Sequence, residues 1–200
     1  MANPISRVAP GASIELGNVG TRTLATRPRL AIMAMEAIAA WSHVESFMLH
    51  MFVALAGGID ADAAAVYVAL ETSSAKARAV SILAERRLGI REQKVLSAII
   101  KLTKSSQKDR DKLAHWSWGS SSALPDALLL SDPRNLDINR DQIYVYKESD
   151  FENMRLRFEK IAKFGIIFSM VVRYSHSDSQ KTRLTELENE PEIAEILQRS

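Results

Sequence analysis

The sequence predicts an all-α protein, an up-and-down helical bundle with a short β-hairpin inserted between its fourth and fifth helices. Three observations carry this expectation. Apolar residues recur at intervals of three and four through the long segments, the period of a helix with one buried face. Capping and breaking residues punctuate those segments. Between the last two long ones, Ala127 to Leu130 and Gln142 to Tyr146 are short, apolar and β-prone, and they flank a turn-forming stretch with Pro133, Asn135, Asp137 and Asn139. Two hundred residues, 46% hydrophobic and 25% charged, suffice to bury one core.

Taken in order, residues 1–27 hold Pro4, Pro10, Gly11, Gly17 and Gly20 without an apolar signal-peptide core, and they read as a flexible arm. Pro28 opens a first helix, because the missing N–H is harmless at its start, and Gly57-Gly58 ends it near Ala56. Its stripe is Leu30, Met33, Ala37, Trp41, Val44, Met48, Met51 and Leu55. Asp60 caps a second helix to about Glu71. Ser73 or Ser74 caps a third to about Leu88, with Ala75, Ala79, Ile82 and Leu83 inward. The fourth starts near Arg91 and buries Val95, Ile99 and Leu102. The hairpin insert covers about 116–147. A fifth helix runs from about Ser149 to Tyr174 on Met154, Phe158, Ile161, Ile166, Phe168 and Val172. The helical domain is thus expected at 28–176, followed by a polar linker and a short helix from Pro191 within 177–200.

Composition excludes several function classes. The absence of Cys removes disulfides, thiolate metal sites and cysteine nucleophiles, and suits a cytoplasmic protein. Leu30 to Ala56 comes nearest to a membrane span, but Glu36, His43, Glu45 and His50 interrupt it, so a core helix and no membrane partner are expected. His43 and His50 share an exposed face with Glu36, and without a Glu-x-x-His pair no metal site is expected. No glycine-rich nucleotide loop, nucleophile elbow or zinc-protease motif occurs, so no cofactor is expected either.

Charge is unevenly distributed. Between Lys76 and Lys112 eleven Lys and Arg face four acids, although the whole chain carries only +2. Arg86, Arg87, Lys94 and Lys112 are therefore candidates for contact with a polyanion such as RNA, against the alternative that they are solvated helix formers. From Thr103 to Lys112 the fourth helix carries no large apolar residue, which implies a wet cleft, a partner subunit or a solvated helix end.

At the end of that helix stands Arg110-Asp111-Lys112-Leu113-Ala114-His115, followed by Trp116-Ser117-Trp118-Gly119. Guanidinium and imidazole together provide phosphate binding and proton transfer without a metal. At 100° per residue the two lie about 140° apart on an unbroken helix, so either the helix unwinds near Ala114 or a second copy completes the site. Cations at a helix C-terminus also compensate its dipole. Glu45, on the flank of the first helix's buried stripe, needs a partner, and Arg110 is the one expected, with another base equally open. Asp111 is expected to orient Arg110 or His115, or to be solvated. Trp116 and Trp118 are expected to pack on the hairpin rather than to stack on bases.

The segment resembles the Arg-(four to six residues)-His motif of the HEPN superfamily, in the acidic residue after Arg110 and the small Ala114 before His115 as well as in spacing. The resemblance is specific over about ten residues and follows general helix order from Leu30 to Tyr174. It implies a HEPN-like bundle acting as a metal-independent endoribonuclease, in a toxin or antiphage setting, with Arg110 and His115 catalytic, Asp111 and Glu45 supporting, and a homodimer whose two motifs face one cleft. A regulatory protein partner is compatible with it. The long linker after the motif departs from simpler members and puts substrate access in question. Two other readings stay open: a non-catalytic HEPN-like module that dimerises or binds a protein or nucleotide, and an unrelated helical regulator that binds nucleic acid through its basic helices.

Overall fold

Helix geometry follows the apolar stripes closely in a computed structural model that describes residues 2–17, 22–173 and 178–199. The described residues form eight α-helices and one five-stranded antiparallel sheet, so the protein is mainly α. Element order is β1 (Asn3–Pro4), α1 (Ile5–Val8), β2 (Glu15–Leu16), α2 (Pro28–Ala56), α3 (Asp60–Ala69), α4 (Ser73–Arg87), α5 (Ile90–His115), β3 (Ser117–Ser120), β4 (Leu128–Ser131), β5 (Ile143–Tyr146), α6 (Glu148–Arg173), α7 (Asp178–Glu188) and α8 (Pro191–Gln198). The chain divides into two compact units, one made of Met1–Trp41 and Ser106–Phe158, the other of Ser42–Ser105 and Glu159–Ser200. Helices α2, α5 and α6 are continuous through the points where the division falls.

The first unit is built on the sheet, ordered β1-β5-β4-β3-β2. Strands β4 and β5 pair in register, Leu129 against Val145 and Leu130 against Tyr144, as the expected hairpin does. The hairpin is only the centre. All four β4 residues are buried, because the sheet is covered on both faces, and this is why the run reads as continuously apolar rather than alternating. One face packs Leu129, Ile143 and Val145 with Ile5, Leu124 and Ala127. On the other, the Phe151 ring stacks at 5.6 Å on Tyr146 and 6.4 Å on Trp118.

The arm expected to be flexible supplies β1, α1 and β2 instead. Its Pro and Gly serve close approach and edge placement: Pro4 sits on an edge strand, where no ladder donor is needed, and Gly17 N–H donates to the Trp118 carbonyl at 2.6 Å. A Cβ on Gly119 would stand 2.6 Å from the Glu15 carbonyl oxygen, so β2 can pair there only against glycine. Arg140 Nη2 donates to the carbonyls of Ala9 and Ala12, holding the arm in place. Gly20, Tyr174 and the expected domain boundary at 176 lie outside the described residues.

The second unit is helical. Gly57 and Gly58, at φ of 68° and 83°, end α2 where glycine alone is unstrained. Thr72, rather than Ser73 or Ser74, caps α4, its hydroxyl accepting from Ala75 N–H at 3.1 Å. The buried face of α4 is Ala77, Val80 and Ala84, while Ile82 is exposed: small residues let the helix approach its neighbours closely, and choosing the larger apolar residues turned the expected face by about one position. Ile166 on α6 is likewise exposed, and residues 178–188 form α7 instead of a linker. Arg91 on α5 holds α7 through Glu188, and Lys160 on α6 holds α8 through Glu190 and Glu192. By length and hydropathy α2 is also the one described helix that could cross a membrane, with half of the relevant window buried inside the protein.

Candidate functional site

Helix α5 runs unbroken through His115 and passes directly into β3. Leu113, 2% exposed, anchors its last turn, and Trp116 N–H closes it on the Lys112 carbonyl at 3.0 Å. No unwinding near Ala114 occurs. Arg110 and His115 therefore keep their separation of about 140° around the axis, and one copy does not turn both toward one phosphate. The residues on the His115 side of the helix are Lys108, Asp111 and Lys112, about 20°, 40° and 60° away. His115 itself is exposed; Arg110 is partly buried, and its Nη1 lies 3.2 Å from Asp111 Oδ1, so Asp111 touches the arginine.

The polar stretch of α5 has internal partners. Asp109 Oδ2 accepts from Arg157 Nη1 of α6 at 3.1 Å, and Asp109 Oδ1 lies 3.7 Å from Lys112 Nζ. The Lys112 ammonium stands 5.4 Å from the Trp116 ring centroid and 5.2 Å from that of Tyr144, while the two rings are 5.8 Å apart. Both tryptophans after the motif thus pack against aromatic neighbours, Trp116 on Tyr144 and Trp118 on Phe151. Burial raises the Tyr146 phenol, and Asp109, Asp150 and Tyr144 push it further, so it stays neutral. Ser106, on the stripe that continues Val95 and Ile99, is fully buried rather than facing a wet cleft.

The remaining candidates belong to the second unit. Glu45 is exposed rather than set on a buried flank, and it is close enough to Tyr67 to help burial push that phenol up to about 12. Arg86 and Lys94 are exposed, as a phosphate contact requires. Arg87 Nη2 donates to the Ala56 carbonyl at 3.2 Å, which gives it a structural role as a cation at the end of α2. Among the described residues no group of three or more His, Asp or Glu gathers as metal ligands would.

Asp109, Tyr144 and Arg157 were not candidates from sequence. Asp109 stands three residues before Lys112 on α5, but only tertiary packing brings Tyr144 and Arg157 to that pair, and a strand tyrosine or a helix-face arginine carries no local signal of it. No protein-family model, curated protein or solved structure matches this chain.

Proposed function

We propose that the chain is a metal-independent endoribonuclease of HEPN type, using Arg110 and His115 from two copies of the chain. The observation that carries this reading is the placement of His115 as the exposed last residue of a helix that holds Arg110 a turn and a half earlier. His115 takes the proton from a ribose 2′-hydroxyl as its oxygen attacks the adjacent phosphorus, and a proton is returned to the departing 5′-oxygen. Arg110 steadies the charge on the phosphorane, with Asp111 orienting its guanidinium. The exposed bases Arg86 and Lys94 track the backbone of the RNA. The toxin or antiphage setting follows from the resemblance alone.

The test is cleavage of labelled RNA in chelator. Products carry a 2′,3′-cyclic phosphate and a 5′-hydroxyl, and a deoxyribose at the cut site blocks the reaction. Arg110→Ala and His115→Ala each lose about a hundredfold in rate or more with unchanged melting temperature. Cleavage that requires magnesium, or that survives both substitutions, removes the assignment. The non-catalytic module is favoured by a different observation: Asp109 and two aromatic rings hold Lys112, and Arg110 touches Asp111, as in a structural helix end. Under that reading the wild type does not cleave RNA and Arg110→Ala lowers the melting temperature.

A further inference from the structure

Within the second unit a groove of about 730 Å³ runs between α2 and α6. Its floor is apolar and tightly made: Phe47 is 2% exposed, and its ring lies so close to α6 that a Cβ on Gly165 would stand 2.1 Å from it. One wall is the α2 row His43, Ser46 and His50. The other is an α6 row, Glu159, Lys163, Ile166, Met170 and Arg173, spaced 4-3-4-3. That spacing is the seam of a helix that packs against another helix, and α6 already buries a separate stripe on Phe158, Ile161, Phe164 and Phe168. The second seam is uncovered, with Ile166 50% and Met170 37% exposed.

We propose that this groove docks an acidic amphipathic helix of another protein, independently of the reading of Arg110 and His115. Two helical walls with an apolar floor are the receptor for a helix laid between them, and Glu159 to Arg173 rises about 21 Å, roughly four turns of a bound helix. Charge selects the occupant. Lys163 and Arg173 bracket the apolar pair, His43 and His50 line the facing wall, and Glu159 is the single acid among the described residues that line the groove. A helix with Leu- or Ile-type residues on its inner stripe and Asp or Glu beside them complements that rim. The same seam of a second copy of this chain does not. Two-fold antiparallel pairing of the α6 seam about its Ile166–Met170 centre sets Lys163 against Arg173 of the partner subunit, twice, with no acid between them.

The test uses the full chain and a labelled synthetic helix of about 18 residues, with leucine on one seam and glutamate beside it, read by fluorescence anisotropy. Its controls are the same helix with lysine in place of glutamate and a scrambled glutamate peptide. The acidic helix binds at least tenfold tighter than either control, weakens as salt is raised, and loses at least tenfold with Ile166→Ser or Met170→Ser. Lys163→Glu with Arg173→Glu reverses the preference between acidic and basic helices, and unchanged circular dichroism shows that these surface variants are folded. Equal affinity for the acidic and basic helices, or indifference to the double reversal, overturns the proposal. So does binding to anionic phospholipid vesicles that depends on the same four residues while the helix does not bind. A dimer in light scattering that Ile166→Ser dissociates assigns the face to a second copy and overturns it too.

Discussion

Replacing Gly165 with alanine inserts one methyl group where none fits. Its carbon would lie 2.1, 2.2 and 2.6 Å from three Phe47 ring atoms, against ordinary carbon contacts of about 3.5–4 Å. The ring therefore has to move by more than about 1 Å, and since it is 2% exposed in the floor of the groove, the move breaks its packed contacts. Overpacking of a filled core costs about 1–3 kcal/mol, and displacement of a whole ring belongs at the upper end. Alanine returns about 1 kcal/mol through its better helix propensity. The net loss is about 2 kcal/mol, a fall in melting temperature of roughly 4–8 °C for a chain of this size. Thermal unfolding followed by circular dichroism measures it. Gly165→Ala combined with Phe47→Leu should recover part of the loss, because the smaller side chain vacates the space that the methyl needs. An alanine variant as stable as the wild type would show that α2 and α6 are not pressed together at Gly165, and the floor of the groove would lose its argument.

Two further outcomes follow from buried and paired polar groups. Ser106→Ala should raise stability by about 1 kcal/mol, because the hydroxyl is fully buried without a hydrogen-bond partner among the described residues; denaturant unfolding checks it, and a destabilised variant would show that the hydroxyl has a partner. Stability should also decline in acid. Hydrogen bonds from Arg91 hold Glu188 below the usual carboxylate range against the opposing effect of burial; burial alone would raise Glu192, yet the hydrogen bonds from Lys160 carry it lower too. Folded values below the ordinary 4.5 mean that this stabilisation is complete above about pH 4.5 and is lost as pH falls through the depressed values. Arg91→Gln should flatten the melting temperature profile below pH 4.5, and an unchanged profile would remove the Glu188 contribution.

The sequence is most legible where one period decides the outcome. The 3-4 stripe from Leu30 to Leu55 and the Pro28 and Gly57 punctuation locate α2 to the residue, since 29 residues of one period leave little room for another reading. It is least legible where a residue serves two purposes. Gly17 and Gly119 look like loop breakers, yet they are where backbones of two strands approach too closely for a side chain. Strands of two residues have no period at all, and only pairing creates them, Asn3–Pro4 with β5 and Glu15–Leu16 with β3. Ile82 and Ile166 show the limit of hydrophobicity as a guide to facing: the buried positions beside them are alanine, valine and glycine, selected by proximity rather than by transfer energy. The motif residues Arg110 and His115 were visible from type and spacing. The partners of the polar turn, Arg157 and Tyr144, come from distant segments and were not.

The continuity of α5 through His115 sharpens what the motif requires. Were the helix broken before the histidine, one copy could swing imidazole and guanidinium onto one phosphate, and dimerisation would be incidental. Unbroken, it keeps them about 140° apart, so a site that uses both takes the histidine from one copy and the arginine from another. Mixing then distinguishes the two arrangements. Under the proposed ribonuclease reading, Arg110→Ala and His115→Ala chains should each cleave at least about a hundredfold more slowly alone, but in a mixed dimer the first would supply an intact histidine and the second an intact arginine, which together would rebuild one of the two sites. With random exchange about half the dimers are mixed and each carries one site, so about a quarter of wild-type cleavage returns. The mixture is refolded together, assayed in chelator, and compared with each variant refolded alone. No recovery from a mixture shown to contain mixed dimers would exclude pairing across copies, and with α5 intact would leave Arg110 without a role at the phosphate that His115 serves.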